Sequence, residues 1–282
     1  MPEQSKPILS VKNMSVQFPT LSGVVNAVKN VSFDVGREKV GIIGESGSGK
    51  STTGRAIMRL QPQTARVVAD EMRFEDIDLL AASEAKMRSI RGSRISMILQ
   101  DPKYSLNPVM TVGEQIAETV ILHERIGKSQ ARERSLAMLD RVNIRDPQRV
   151  FNLYPHEVSG GMGQRIMISM MLISSPSLII ADEPTSALDV TVRQQVLSIL
   201  DDLIIERDIG LIFISHDLNL VKSFCDRVII MYAGRIVETL EAARLEEATH
   251  PYTRGLLAAL PSLDHPRDRL EVLQRQASWA EA

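Results

Sequence analysis

The sequence predicts an α/β fold: a doubly wound layer of strands alternating with helices, preceded by an antiparallel sheet. Three observations predict it. Five apolar runs, 40–43, 95–99, 178–181, 211–214 and 228–231, are continuous, as in strands of a sheet buried on both faces. Stretches with helical spacing separate them. Residues 8–35 alternate instead, as in a half-buried antiparallel sheet. At 282 residues the chain has room for one large domain or two modest ones.

Taken in order, Leu9, Val11, Met14, Val16 and Phe18, then Val25, Ala27, Val31, Phe33 and Val35, are expected on one face, with a turn near Ser22-Gly23. Val40-Gly-Ile-Ile43 reads as a short buried strand, and Ser51 to Leu60 as a helix. Between Gln100 and roughly Ser175 the pattern is mainly helical, with 3.6-type spacing over Thr111–His123, Ser129–Arg141 and Met162–Ser174. This segment is expected to be an insertion between core strands. From about Glu241 a Glu-rich helix is expected, then a proline-punctuated tail whose last twenty or so residues carry little order.

Composition narrows the possibilities. Hydrophobic residues make up 44% and charged residues 24%, ordinary for a globular protein. A net charge of −2 offers no basic footprint for nucleic acid. The apolar runs are too short to span a bilayer, and the first residues have no apolar core of the secretory-signal type. The single Cys225 rules out a disulfide within the chain and suits a small buried side chain better than a nucleophile.

The chemistry concentrates at Gly44-Glu45-Ser46-Gly47-Ser48-Gly49-Lys50-Ser51, which fits G-x-x-x-x-G-K-[ST] between a strand and a helix. Closely spaced phosphate charge needs backbone N–H groups that converge, and glycine at the tight places permits that. Lys50 is expected on the β- and γ-phosphates and the Ser51 hydroxyl on Mg²⁺. Thr52 continues into the helix, whose positive dipole end faces the phosphates. A mere glycine-rich turn would not explain the full pattern with both flanks.

Leu178-Ile-Ile-Ala-Asp182-Glu183 is an apolar strand ending in two carboxylates. Asp182 is expected to hold Mg²⁺ through water, and Glu183 to stand where water attacks the γ-phosphate. The plainer alternative is a carboxylate pair capping the next helix. Ser159-Gly160-Gly161 opens a helix and supplies a hydroxyl with free N–H groups, a second anion cradle. The Ile and Met residues after it read as core packing. Two phosphate cradles with one lysine loop make sense if the second cradle closes over the nucleotide of another subunit.

In order, the lysine loop, Gln100, Ser159-Gly-Gly161, Asp182-Glu183, Ser186-Ala-Leu-Asp189 and His216 resemble the hallmarks of the ABC-transporter ATPases. The resemblance covers about residues 8–258. It implies a P-loop ABC ATPase with a mixed central sheet, an N-terminal antiparallel β subdomain and a helical insertion subdomain. The core would be about 8–100 and 176–240, the helical subdomain about 101–175, and the tail 259–282. It also implies residue roles. Gln100 would touch Mg²⁺ or the attacking water, and Asp189 would line the dimer interface. His216 would bond the γ-phosphate and position Glu183. Phe18 would stack on adenine, with sheet packing as the even alternative. Ser215-His216-Asp217 is not a hydrolase triad, since consecutive residues cannot aim at one another in that relay.

Gln100-Asp-Pro-Lys-Tyr-Ser-Leu-Asn-Pro108, Tyr154-Pro-His-Glu-Val-Ser-Gly-Gly-Met162 and His250-Pro-Tyr-Thr-Arg-Gly-Leu-Leu257 are similar to the dipeptide, oligopeptide and nickel importer branch. That likeness implies ATP and Mg²⁺ as cofactors and a second ATPase subunit, sister or self. It also implies two permease subunits and, indirectly, an extracytoplasmic solute-binding protein. The place implied is the cytoplasmic face of a bacterial inner membrane. Three departures stand out. Arg37 replaces a turn glycine. Gly163 replaces a long polar residue, at a cost of roughly 1 kcal/mol inside a helix. The tail lacks the cysteine cluster of many relatives, so no iron–sulfur cluster is expected. The rival readings are a soluble ABC-type ATPase acting on DNA or ribosomes, a P-loop kinase, and an ATP-binding regulator. The kinase leaves Ser159, Asp189 and His216 unexplained.

Overall fold

β1 (Leu9–Thr20) and β2 (Gly23–Val35) form one long antiparallel hairpin. The computed structural model describes residues 6–100, 105–260 and 279. They fall into two units, one drawn from Met1–Ala82 and Ile212–Ala282, the other from Ser83–Leu211.

In the first unit β1 also pairs antiparallel with β4 (Arg66–Val68) and β5 (Glu71–Phe74), and β5 pairs with β6 (Ile77–Asp78). Leu9, Val11, Met14 and Val16 are buried, as their spacing predicts. The three-residue step from Val11 to Met14 is a bulge with Asn13 at φ 52°. A second left-handed residue, Asn30 at φ 50°, breaks the alternation in β2. Consequently Val28 points inward and Val25 is 52% exposed, contrary to the single inward face expected through Val25 and Ala27. An extra residue in one strand reverses the facing of everything beyond it.

β3 (Lys39–Ile43) runs parallel to β10 (Arg227–Tyr232), and β10 runs antiparallel to β11 (Arg235–Glu241), so this sheet is mixed. Most of β9 (Gly210–Ser215) also lies in this unit and is wholly buried. The β3 and β10 starts are tied together: Arg227 pairs with Glu38 at 2.6 Å, and the Lys39 amide donates to Asp226 at 2.7 Å. Gly41 is required by close approach, because a Cβ there would lie 2.2 Å from Val221 Cγ1 in α8 (Leu218–Phe224). Cys225 packs at the same place and is buried, the small-hydrophobe role expected of it.

The Glu-rich helix expected from Glu241 is not what forms. Ala233 (φ 47°) and Gly234 (φ 87°) make a two-residue turn that returns the chain as β11. Only a 3₁₀ turn, Ala242–Glu247, follows, then α9 (Pro251–Ala258) with the His250 side chain as its N-cap. The expected helix is reduced to that single turn, because Arg244 leaves helical geometry (φ −104°, ψ 16°) and Pro251 starts a separate helix. The expected tail beyond residue 260 lies outside the described residues apart from Trp279.

In the second unit β7 (Ile95–Ile98) pairs parallel with β8 (Leu178–Asp182). Around them are α2 (Glu84–Ile90), α3 (Val112–Glu124), α4 (Lys128–Arg141), α5 (Pro147–Phe151), α6 (Gly160–Leu172) and α7 (Val190–Glu206). Helix starts follow capping chemistry. Thr111 and Glu114 form a capping box, and the bonds from the Thr111 amide and hydroxyl hold the Glu114 carboxyl below its usual range. Ile166, Met167 and Ile168 of α6 are fully buried, the core packing expected of that run.

Candidate functional site

The loop after β3 has the conformation its glycines allow. Gly47 (φ 82°) and Gly49 (φ 101°) are left-handed. Gly44 is held by contact as well: a Cβ there would lie 2.1 Å from the Met231 carbonyl oxygen. α1 (Lys50–Ile57) then begins with Gly49 as N-cap and no side-chain cap, so its first amides are not taken by a capping side chain. Lys50 is 6% exposed, and its Nζ donates to the Gly44 carbonyl at 2.6 Å and the Glu45 carbonyl at 2.9 Å. Ser48 is buried with it, while Ser46 and Gly47 are exposed and Ser51 and Thr52 half-buried. A lysine curled inside a ring of backbone, at an uncapped helix start, fits a polyphosphate. Beside the lysine, the Ser51 hydroxyl is an oxygen donor of the kind a hard cation takes.

Three further residues in this unit bear on the site. Phe18 is half-buried near the tip of the β1–β2 hairpin, opposite Val25. His216 is exposed just after β9. Its neighbours have other work: the Asp217 amide donates to Ser215 Oγ at 3.0 Å, and the Asp217 carboxylate caps α8. The third residue is Tyr252 of α9, whose phenol oxygen accepts from the Glu45 amide at 3.0 Å. Sequence reasoning missed Tyr252, because nothing local marks a contact spanning 207 residues.

The second unit holds the remaining expected residues. Gln100 is exposed, two residues beyond the end of β7. Asp182 is 3% exposed and ends β8. Glu183 follows at φ 49°, a left-handed conformation uncommon for a non-glycine residue, and its carbonyl accepts from the Ser186 amide and hydroxyl. The strand therefore stops abruptly at the two carboxylates. Ser159 is exposed and caps α6, its Oγ accepting from the Met162 amide at 3.3 Å. Its hydroxyl hydrogen remains available to donate. Asp189 is exposed and caps α7 by accepting from the Val192 amide at 2.9 Å.

The fold brings these two caps together. A Cβ on Gly161 would lie 2.7 Å from Val192 Cγ1, so α6 approaches α7 where only glycine fits. Gly160 has nothing within 4 Å of a Cβ, leaving its face open. Beside it is a cavity of about 510 Å³ lined by Leu106, Pro108, Pro155, Val158, Ser159 and Gly163. Gly163 is buried there, so the missing long side chain of that position leaves room at the head of α6.

A lysine-bearing glycine loop, an Asp-Glu strand end and a Ser-Gly-Gly helix start are the marks of a nucleotide-binding ATPase class. The comparisons make it particular. The ABC transporter family profile matches residues 28–186. The oligopeptide transport ATP-binding protein OppD of Bacillus subtilis is 46% identical, over 91% of this chain and 73% of its own. The dipeptide transport ATP-binding protein DppD of the same species is also 46% identical, over 91% of this chain and 78% of its own. A solved dimer of the ATP-binding cassette MJ0796, in a post-hydrolysis state bound to ADP and Pi, superposes with a TM-score of 0.74. It is 27% identical and covers 83% of this chain and 98% of that one. The chain belongs to the ABC transporter family and is one of its ATP-binding subunits, an ATPase. Among the described residues no helix is long and apolar enough to cross a membrane.

Proposed function

We propose that this chain energises an importer for peptides or related small solutes, and that each ATP is clasped between two such subunits. The reading is carried by one chain having a lysine loop and, at Ser159-Gly160, a helix start exposed on its own surface, a place suited to an anion. The relatives named for oligopeptide and dipeptide transport support the peptide cargo. The dimeric cassette bound to ADP and Pi supports pairing.

In this reading the loop from Gly44 to Thr52 grips the phosphates, and Phe18 packs on adenine. Ser51, Gln100 and Asp182 are the residues that would hold Mg²⁺. That ion offsets the negative charge of the β- and γ-phosphates when bound. Glu183 takes the proton of the attacking water, and His216 holds Glu183 and the γ-phosphate in register. Ser159, Gly160, Gly161 and Asp189 serve the nucleotide held by the other subunit.

ATP binding therefore closes the pair, and hydrolysis removes the charge bridge and lets it open. A partner ATPase, sister or self, and two permease subunits convert that cycle into alternating access at the cytoplasmic face of the membrane. A solute-binding protein feeds the permease. The domain assignment follows the same reading: residues 8–258 form the ATPase, with a core of about 8–100 and 176–240, a helical part of about 101–175 and a tail of 259–282.

Affinity purification in detergent from a cell expressing the chain tests this. Permease subunits and peptide-stimulated ATP turnover are the expected result. Recovery with ribosomes or DNA instead of membrane proteins would sink the transport role.

A further inference from the structure

The peptide plane between Gly44 and Glu45 is gripped at both edges. Its N–H donates to the Tyr252 phenol oxygen at 3.0 Å. Its C=O accepts from Lys50 Nζ at 2.6 Å. A trans peptide is planar, with N–H and C=O pointing to opposite sides, so fixing one edge fixes the other. The described residues contain no cis peptide bond. The phenol thus holds the carbonyl that receives the Lys50 ammonium.

Tyr252 is itself well held. It is 0% exposed, and its ring packs on Tyr232 with centroids 4.5 Å apart and on Trp279 at 6.0 Å. The turn leading to it is pinned by one carboxylate oxygen. Glu238 Oε1 accepts from the Thr249 amide at 2.7 Å, the Thr249 hydroxyl at 3.0 Å and the His250 amide at 3.2 Å. The His250 imidazole then accepts from the Tyr252 amide at 3.2 Å. A hydroxyl mounted this rigidly defines a position, whereas a mobile surface phenol would only follow the loop.

We propose that Tyr252 is a positioning residue for Lys50: through the Gly44–Glu45 peptide plane it orients the lysine loop to receive the phosphates of ATP. This rests on the reading of that loop as the ATP site. The segment after β11 is thereby part of the nucleotide site's scaffold. Without the hydroxyl the peptide plane is free to rock, and the loop must be ordered at the moment of binding.

The test uses Tyr252→Phe in the full chain, which keeps the ring and its stacking. ATP and ADP affinities are measured by titration, and backbone amide exchange is followed across residues 44–50 without nucleotide. Expected are roughly five-fold weaker binding of both nucleotides, the worth of one hydrogen bond, and faster exchange confined to that loop. The melting temperature should stay within about 2 °C of the parent. Parental affinity together with parental exchange in the variant would overturn the inference while leaving the ATP site intact. Failure of the parent itself to bind ATP would overturn the site and this inference together. Tyr252→Leu, which also removes the ring stacking, separates hydroxyl from packing. Affinity lost in Leu but kept in Phe would also count against the hydroxyl's role.

Discussion

Gly49 lies against the Ala27 carbonyl so closely that a Cβ on it would sit 2.6 Å from that oxygen. The β1–β2 hairpin therefore forms one wall of the lysine loop, and backbone cannot give way as a side-chain tip can. Gly49→Ala adds a left-handed penalty, at φ 101°, to this overlap. We expect the variant to lose about 2 kcal/mol or more of stability. Thermal unfolding of the purified chain checks it. A melting temperature equal to the parent's would show that the wall yields.

Lys50→Ala removes three donors from a buried ring of acceptors, together with a fixed positive charge. A charged hydrogen bond is worth about 2 kcal/mol, so ATP should bind at least thirty-fold more weakly. Calorimetric titration measures this. Unchanged affinity would contradict the phosphate-cradle role.

Glu183→Gln keeps shape and hydrogen bonding but cannot accept a proton. ATP turnover should fall by a hundred-fold or more, while ATP binding persists and the pair accumulates in its closed form. Turnover assays with size-exclusion chromatography in ATP show both effects. Parental turnover would remove Glu183 from the base role.

Gly160→Ala places a methyl group where no neighbour stands within 4 Å. It should leave the melting temperature unchanged or slightly raised, since alanine suits a helix better than glycine. ATP-dependent pairing should nevertheless weaken if the open face of Gly160 meets the nucleotide of the other subunit. Normal pairing in the variant would move that contact elsewhere.

Acid should loosen the segment carrying Tyr252. Burial alone would raise the Glu238 carboxyl, but the neighbouring Thr253 hydroxyl and the bonds from Thr249 and His250 outweigh it and hold it below the ordinary 4.5. A lowered folded value adds stability above pH 4.5, and that contribution is lost as pH falls through the folded value. Protection of the 249–258 amides relative to their intrinsic exchange rates should therefore fall below about pH 4.5, and Glu238→Gln should flatten that dependence. Equal protection at pH 4 and pH 7 in the parent would remove Glu238 from this role.

Much of this molecule was legible locally. The parallel strands declared themselves as apolar runs, and Ile95–Ile98 and Leu178–Asp182 form where expected. Ser159 stands at the helix start its residue type suggests. The errors arose where one residue changed a pattern. Asn13 and Asn30 reset the alternation of the hairpin, and Arg244 leaves helical geometry, which cut the expected Glu-rich helix to a 3₁₀ turn, Ala242–Glu247.

The sequence by itself determined the glycine-lysine loop, the strand ending in Asp182-Glu183 and the Ser159 helix start, because each depends on residue types at short spacing along one backbone. Only the tertiary structure decided that Gly161 lies against Val192 and that Tyr252 holds the Glu45 amide. Those contacts depend on where separate elements come to rest. Steric fit and the requirement to pair buried backbone groups select them only after the chain has folded.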